Sequence, residues 1–264
     1  MYEQILPIME QAALLMLAAH DVDADVTVKP GDANYVTAYD VAVEEALYRE
    51  LGRLFPDAVF IGEEAEENHT ELLNSSLAFI IDPIDGTTNF IHNCRYSAIS
   101  VGLCDRGRMV FGAVYNPYDR CLFHAEAGHG AFVRDTRTGE DTPIHVSDRP
   151  LRDALAGFGT SPYYRDELAE PTFRAVSALF RMTRDVRRSG SAALDLCMTA
   201  CGSLDVFIEY RLSPWDVAAG SLILTEAGGC ITRMDGSPVT FASPGSILAG
   251  NPVTCREVLE SGIL

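Results

Sequence analysis

The chain is predicted to be a mixed α+β protein, with an antiparallel-rich sheet in its first half and a smaller mixed α/β arrangement in its second. Three observations predict this. Two helical segments, 2–20 and 40–55, lead the first half. Strand-like runs then follow one another through the short turns Asp105-Arg106-Gly107-Arg108 and Asn116-Pro117-Tyr118-Asp119, as successive hairpins do. Beyond them strands alternate with helices, the mark of layered α/β structure.

The elements follow in order from apolar periodicity. Segment 2–20 contains Ala12-Ala13-Leu14-Leu15-Met16-Leu17-Ala18-Ala19, preceded by Glu3, Glu10 and Gln11 rather than by a basic region. That run is too short to span a bilayer and lacks the charge of a signal sequence, so it reads as a helix packed on the sheet. Asp40 opens the amphipathic helix Val41-Ala42-Val43-Glu44-Glu45-Ala46-Leu47-Tyr48. Strand-like runs cover 58–62, 77–82, 96–104, 109–116, 121–126 and 131–134. The polar stretch near Asp135–Val146 is expected to join the halves, 1–145 and 146–264. In the second half, strands at 154–159, 204–209, 229–233 and 246–250 alternate with helices at 168–182, 191–202, 214–228 and 252–262. No internal repeat or low-complexity tract interrupts the pattern.

Composition restricts the partners. A formal charge of −18 argues against binding nucleic acid or an anionic membrane, where a basic patch is expected. Seven cysteines lie scattered without a Cys-x-x-Cys pair and read as reduced core residues, in keeping with a cytoplasmic protein. The six histidines show no ligand spacing; His124 and His129, flanking Gly128, are expected at the surface.

The most informative stretch is Ile81-Asp82-Pro83-Ile84-Asp85-Gly86-Thr87-Thr88-Asn89-Phe90. It follows the apolar run Leu77-Ala78-Phe79-Ile80-Ile81, and Pro83 and Gly86 are expected to turn the chain where that strand ends. Asp82 and Asp85 would then face one small space, where two carboxylates repel unless one is protonated or a cation sits between them. Oxygen ligands of this kind suit Mg²⁺, Mn²⁺ or Ca²⁺ rather than zinc. Asp-Pro and Asp-Gly are also ordinary turn pairs. Two further segments carry acids to strand and helix ends: Phe60-Ile61-Gly62-Glu63-Glu64 and Pro214-Trp215-Asp216-Val217-Ala218-Ala219-Gly220. Asp216 and Asp40 each have a second reading as helix-start acids. Glu209, ending the run Leu204-Asp205-Val206-Phe207-Ile208, reads as a solvated strand-edge residue.

Together these segments resemble the inositol monophosphatase family of metal-dependent, lithium-sensitive phosphomonoesterases. Asp82-Pro83-Ile84-Asp85-Gly86-Thr87-Thr88-Asn89-Phe90 matches its first signature and Trp215-Asp216-Val217-Ala218-Ala219-Gly220 its second, with Gly62-Glu63-Glu64 ahead of both. Further likeness runs from Lys29 and Val36-Thr37-Ala38-Tyr39-Asp40 through Gly190-Ser191-Ala192-Ala193-Leu194-Asp195 to Glu226-Ala227-Gly228-Gly229.

The resemblance implies an α-β-α-β-α layered sandwich with metals at the junction of the halves. It implies that Glu63, Asp82, Asp85 and Asp216, with the Ile84 carbonyl, hold two or three Mg²⁺ ions, with Mn²⁺ as a possible substitute. Asp82 would bridge two of them. Thr87 and Asp40 would orient and help deprotonate the water that attacks phosphorus in line. Amides of Gly86 and Thr87 would hold the phosphate, Glu209 would contact hydroxyls of the leaving group, and Gly190, Ser191 and Ala192 would line the same side. Lys29 is placed outside the site.

The implied function is hydrolysis of a small polyol or sugar phosphomonoester, with myo-inositol 1-phosphate foremost and a homodimer as the expected assembly. Sibling phosphatases of histidinol phosphate, fructose 1,6-bisphosphate, NADP or 3′-phosphoadenosine 5′-phosphate share the same signatures, and a non-catalytic regulator that binds a phosphorylated ligand is a further alternative. Charge neutralisation suits the chemistry, because two or three divalent ions would add positive charge where an anionic ester must dock. No Ser-His-Asp order, Gly-x-Ser-x-Gly elbow or Cys-x₅-Arg loop supplies a protein nucleophile, which leaves water.

Overall fold

A computed structural model describes residues 2–20, 22, 26–28, 35–64, 73–74 and 76–264. Lys29 lies outside the described residues. Helix α1 (Leu6–Ala18) is followed by the small antiparallel pair β1 (Val26–Val28) and β2 (Tyr35–Thr37), then by α2 (Ala38–Leu54). Strands β3 (Val59–Gly62) and β4 (Leu77–Asp85) lead into the short helix α3 (Thr87–Ile91). The hairpin series is β5 (Ala98–Asp105), β6 (Arg108–Asn116), β7 (Cys121–Glu126), β8 (Ala131–Asp135) and β9 (Glu140–Ile144). These seven strands, β3 to β9, form one sheet in sequence order, antiparallel throughout except for the parallel β3–β4 pair.

The second half contains β10 (Leu155–Phe158), α4 (Arg165–Met182), β11 (Asp185–Arg187), α5 (Ala192–Ala200), β12 (Val206–Leu212), α6 (Pro214–Glu226), β13 (Cys230–Thr232), β14 (Gly245–Gly250) and α7 (Pro252–Ser261). Its five-stranded sheet has the order β11-β10-β12-β14-β13, with β10 parallel to both neighbours and β14 antiparallel to both of its own. Among the described residues no helix is long and apolar enough to cross a membrane.

Strand periodicity sorts the side chains into layers, because successive residues point to opposite faces. On β4, Phe79 and Ile81 pack with Leu6, Met9, Leu47 and Leu51 of α1 and α2. Ala78 and Ile80 of the same strand turn the other way, towards Ala218 of α6. On β12, Phe207 meets the α5–α6 layer, where Leu196, Cys197, Ile223 and Leu224 lie. Its neighbours Val206 and Ile208 face outward to Leu179 of α4 and Val258 of α7. The order is therefore helix, sheet, helix, sheet, helix, as the resemblance implies.

The α5–α6 layer is covered on both faces, which explains why α6 is apolar all round rather than along one stripe. Its approach to the first sheet is close. A Cβ on Gly112 of β6 would stand 2.6 Å from the Ala219 carbonyl oxygen, so only glycine fits there.

Several elements differ from expectation. Within the polar 135–146 stretch, residues 140–144 form β9, the outer strand of the first sheet. Strand β11 and the β1–β2 pair carry no strong periodicity and were not anticipated by it. Strand β12 starts at Val206 and continues to Leu212, so Glu209 lies within a strand between two neighbours and is buried rather than solvated. His124 is buried on β7 with its Nε2 3.0 Å from Asp141 Oδ1, not at the surface. All seven cysteines are free thiols, but Cys94 is exposed and only Cys104, Cys197 and Cys255 are buried.

Candidate active site

Glu63 leaves the end of β3, while Asp82 and Asp85 belong to β4 itself. The strand does not turn away at Pro83. It stays paired, with Asp82 opposite Ser100 and Asp85 opposite Ala98, so three steps on β4 match two on β5. That is one extra residue, a β-bulge. In a regular strand residues three apart face opposite sides of the sheet. The bulge removes this half-turn and brings both carboxylates into one space. Gly86 then adopts φ 89°, a left-handed conformation that glycine takes without steric cost, and starts α3 with Thr87.

Asp216 arrives from the other half. It is the third residue of α6, whose start is set by Ser213 at the cap and Pro214 in the first position. The Ser213 amide donates to Asp216 Oδ2 at 2.6 Å. One oxygen from each of Asp82, Asp85 and Asp216 falls within 4.8 Å of the others. Each of the three also has an oxygen anchored by the protein. Asp82 Oδ1 accepts from the Ile84 amide at 3.0 Å, and Asp85 Oδ2 accepts from the Ser191 hydroxyl and from the Ala193 amide at 2.9 Å. Glu63 lines the same cavity, outside that trio.

The electrostatics are those of crowded anions. Burial first, then Glu63, Asp85 and Asp216, push the Asp82 carboxyl far above its ordinary range. Asp216 rises likewise through burial, Asp85 and Glu63. Asp85 is pushed up to about 6 by burial, with the Ser191 and Ala193 hydrogen bonds pulling the other way. Buried carboxylates in this proximity call for protons or cations. The donors are carboxylate oxygens without a histidine or thiolate among them, so the trio fits hard divalent cations such as Mg²⁺ or Mn²⁺.

Asp40 combines its two sequence readings. Its Oδ2 accepts from the Thr37 amide at 2.8 Å and the Thr37 hydroxyl at 2.5 Å, completing the cap of α2. Its Oδ1 faces the Thr87 hydroxyl at 3.4 Å, which also reaches the Ile84 carbonyl at 3.2 Å. Burial raises the Asp40 carboxyl to about 6.

A cavity of about 420 Å³ contains Glu63, Asp82, Ile84, Asp85, Gly86, Thr87, Gly190, Ser191, Ala192, Glu209 and Asp216 in its wall. Asp40 stands behind it, touching Thr87. The expected site residues are thus brought together. Ser191, however, spends its hydroxyl on Asp85 and its position on capping α5. Glu209 Oε1 is held by the Ser161 amide at 2.8 Å and hydroxyl at 3.2 Å, and burial raises it to about 7.

Other wall residues were not anticipated. Asp195, buried on α5 and raised to about 8 by burial, accepts from the Ser189 hydroxyl at 2.5 Å. An acid in the first turn of a helix carries no signal that separates it from a helix-start preference. Ser161, Arg188 and Arg211 also line the cavity. Asn89, within the first signature, ties the halves: its Nδ2 donates to Tyr96 O at 2.8 Å and to Ser189 O at 2.9 Å.

The model of the inositol monophosphatase family matches residues 5–262. The inositol-1-monophosphatase of Bacillus subtilis is 31% identical over 96% of this chain and 92% of its own length. The Nus factor SuhB of Escherichia coli K12 is 35% identical over 90% of this chain and 86% of its own. Among solved structures, the extragenic suppressor protein suhB of Bartonella henselae superposes with a TM-score of 0.87 at 32% identity, covering 97% of this chain and 96% of that one. Inositol monophosphate-bound SaIMPase-II gives 0.82 at 26% identity, covering 99% and 93%. The chain belongs to the inositol monophosphatase family.

Proposed function

We propose that the chain hydrolyses a small polyol or sugar phosphomonoester, myo-inositol 1-phosphate foremost, with Mg²⁺ as its cofactor and water as the nucleophile. The observation that carries this reading is the convergence of Asp82, Asp85 and Asp216 from two halves onto one 4.8 Å space, with Glu63 on its wall. Two or three divalent ions there would neutralise charge on the phosphoryl group and lower the pKa of attacking water.

The chain's own residues supply the rest. Thr37 fixes one oxygen of Asp40, so the other points at Thr87 in a defined orientation. Asp40, near pKa 6, is ionised at neutral pH and takes a proton relayed through the Thr87 hydroxyl. Amides of Gly86 and Thr87, at the start of α3, bind phosphate oxygens. Glu209, held by Ser161, accepts hydrogen bonds from leaving-group hydroxyls. Asp85, anchored to the N-terminus of α5 through Ala193, keeps the metal end of the cavity registered to its leaving-group end.

The family pattern supports a cytoplasmic homodimer that lithium inhibits. Relatives named both as inositol-1-monophosphatase and as Nus factor SuhB keep a regulatory reading in view. Phosphate release from a panel of esters decides between them. Mg²⁺-dependent turnover of myo-inositol 1-phosphate, abolished by EDTA and depressed by Li⁺, is expected. Turnover confined to histidinol phosphate or a nucleotide would assign a sibling activity, and no turnover of any ester despite bound Mg²⁺ would assign the regulator.

A further inference from the structure

Away from the active-site cavity, two cysteines distant in sequence share one point at the edge of the second sheet. Cys230 opens β13, the edge strand, and Cys255 lies on α7. Gly250, the last residue of β14, stands opposite Cys230 in the antiparallel β13–β14 pair. Side chains opposite each other on such strands start about 4.5–5.5 Å apart, so a side chain on Gly250 would crowd Cys230. The Cys255 sulfur uses that space instead: a Cβ on Gly250 would lie 3.2 Å from Cys255 Sγ. Cys255 Sγ is 3.9 Å from the Cys230 carbonyl oxygen, and Cys230 Sγ is 3.9 Å from the Asn251 carbonyl oxygen. The bare glycine thus lets a helix thiol reach over β14 to a strand thiol.

The two sulfurs are unequal. They are hydrogen-bonded to each other, Cys255 donating and Cys230 accepting. That bond holds the Cys230 thiol below its ordinary range despite burial, and with burial it keeps the Cys255 thiol above its own. Access follows the same division, since Cys230 is half-buried and Cys255 is buried. A partly accessible sulfur with enhanced thiolate character is the one that meets an oxidant, and a second thiol in contact is placed to resolve the product. Burial raises Cys104, Cys121 and Cys197 instead. Neither Cys230 nor Cys255 lines the active-site cavity.

We propose that Cys230 and Cys255 are an oxidative modification site, where a hydroperoxide closes a reversible disulfide that staples α7 to the edge strand β13. The Cys230 thiolate attacks the terminal oxygen of the hydroperoxide, the O–O bond breaks, and the alcohol, or water from hydrogen peroxide, leaves with a proton. Cys230 is then a sulfenic acid. The Cys255 sulfur attacks the Cys230 sulfur, the S–O bond breaks, and hydroxide leaves as water with the Cys255 proton. In sum the two thiols give up two electrons and two protons, and the peroxide is reduced to alcohol and water. The contact exists in the folded chain, so closure needs no rearrangement of the sheet, and the staple removes freedom from the unfolded chain between the two positions.

The test uses the full chain carrying Cys94→Ser, because Cys94 is exposed and would link two copies. The reduced protein is treated with hydrogen peroxide, its remaining thiols are blocked with iodoacetamide, and the unreduced digest is read by mass spectrometry beside calorimetry of the intact protein. The expected result is a peptide pair joined through Cys230 and Cys255, two hydrogens lighter than the free pair, with both thiols recovered by dithiothreitol. The oxidised protein should melt about 4–8 °C above the reduced one. In Cys255→Ala the gain should vanish, and Cys230 should stop at a sulfenic acid that dimedone traps. The crosslink and its reversal are read in the parent chain, so a poorly folded variant does not decide the matter. Three results would overturn the site: Cys230 and Cys255 both still open to iodoacetamide after other thiols have oxidised, Cys230 joined to a different cysteine, or a Cys230–Cys255 bond that leaves the melting temperature unchanged.

Discussion

Replacing Asp85 by asparagine should make the metal-free protein more stable and the enzyme far less active, an opposition that few structural residues would produce. Asp85 is raised from 3.8 to about 6 in the folded chain, chiefly by burial. A shift of roughly two units corresponds to about 3 kcal/mol by which folding disfavours the ionised form. The sign follows from linkage: with the folded value above the unfolded one, this penalty is absent below pH 4 and complete above the folded value. At pH 7–8 Asp85→Asn removes it while keeping a carbonyl acceptor for the Ser191 and Ala193 donors. A net gain of about 1–3 kcal/mol, or roughly 3–10 °C in Tm without metal, is expected. Added Mg²⁺ should then stabilise the variant less than the wild type, and kcat should fall on the order of a thousandfold for want of one charged ligand. Differential scanning calorimetry with EDTA and with Mg²⁺, beside steady-state phosphate release, measures both. A lower metal-free Tm, or turnover near the wild type, would refute the reasoning.

Further outcomes follow from the same geometry. Asp40, Asp85, Glu209 and Asp195 rise to about 6, 6, 7 and 8, so the stability of the metal-free chain should decline from pH 5 to pH 8; a flat or rising Tm contradicts this. Asp135 and Asp141, lowered to about 2 beside arginines, act below that window and do not mask the trend. Glu209→Ala should cost about tenfold to a hundredfold more on myo-inositol 1-phosphate than on p-nitrophenyl phosphate, since the latter lacks the hydroxyls it is assigned to hold; equal losses would remove that role. Gly112→Ala drives a methyl group against the Ala219 carbonyl, 2.6 Å away, and should destabilise by about 1–3 kcal/mol, read as a lower urea midpoint. An unshifted midpoint would mean that α6 moves off the sheet without cost.

Much of the layering is legible in the chain because buried elements announce themselves by unbroken apolar runs. Ala78–Ile81 and Leu222–Leu224 are examples, and both lie in the interior. What periodicity hides is geometry made by exceptions to it. Asp82 and Asp85 are three apart, a spacing that strand alternation would split between faces, and only the bulge reunites them. Glu209 reads as a solvated strand end after the run Leu204-Asp205-Val206-Phe207-Ile208, whereas β12 continues past it in the middle of its sheet. Residues 140–144 look like a linker, with Glu140, Asp141 and Pro143 among them, yet an outer strand tolerates charge and proline where an inner one does not. His124 lies beside a turn in sequence but pairs with Asp141 from β9, a contact that no local pattern contains. Ser161 holds Glu209 and Arg211, 48 and 50 positions away, a clamp likewise invisible to local reading.

The most direct measurement is a crystal structure with Mn²⁺ and its anomalous difference map. Two or more peaks between Glu63, Asp82, Asp85 and Asp216, with the Asp85 carboxylate still bound to Ser191, are predicted. Peaks elsewhere, or a trio that takes up no metal at saturating Mn²⁺, would contradict the account.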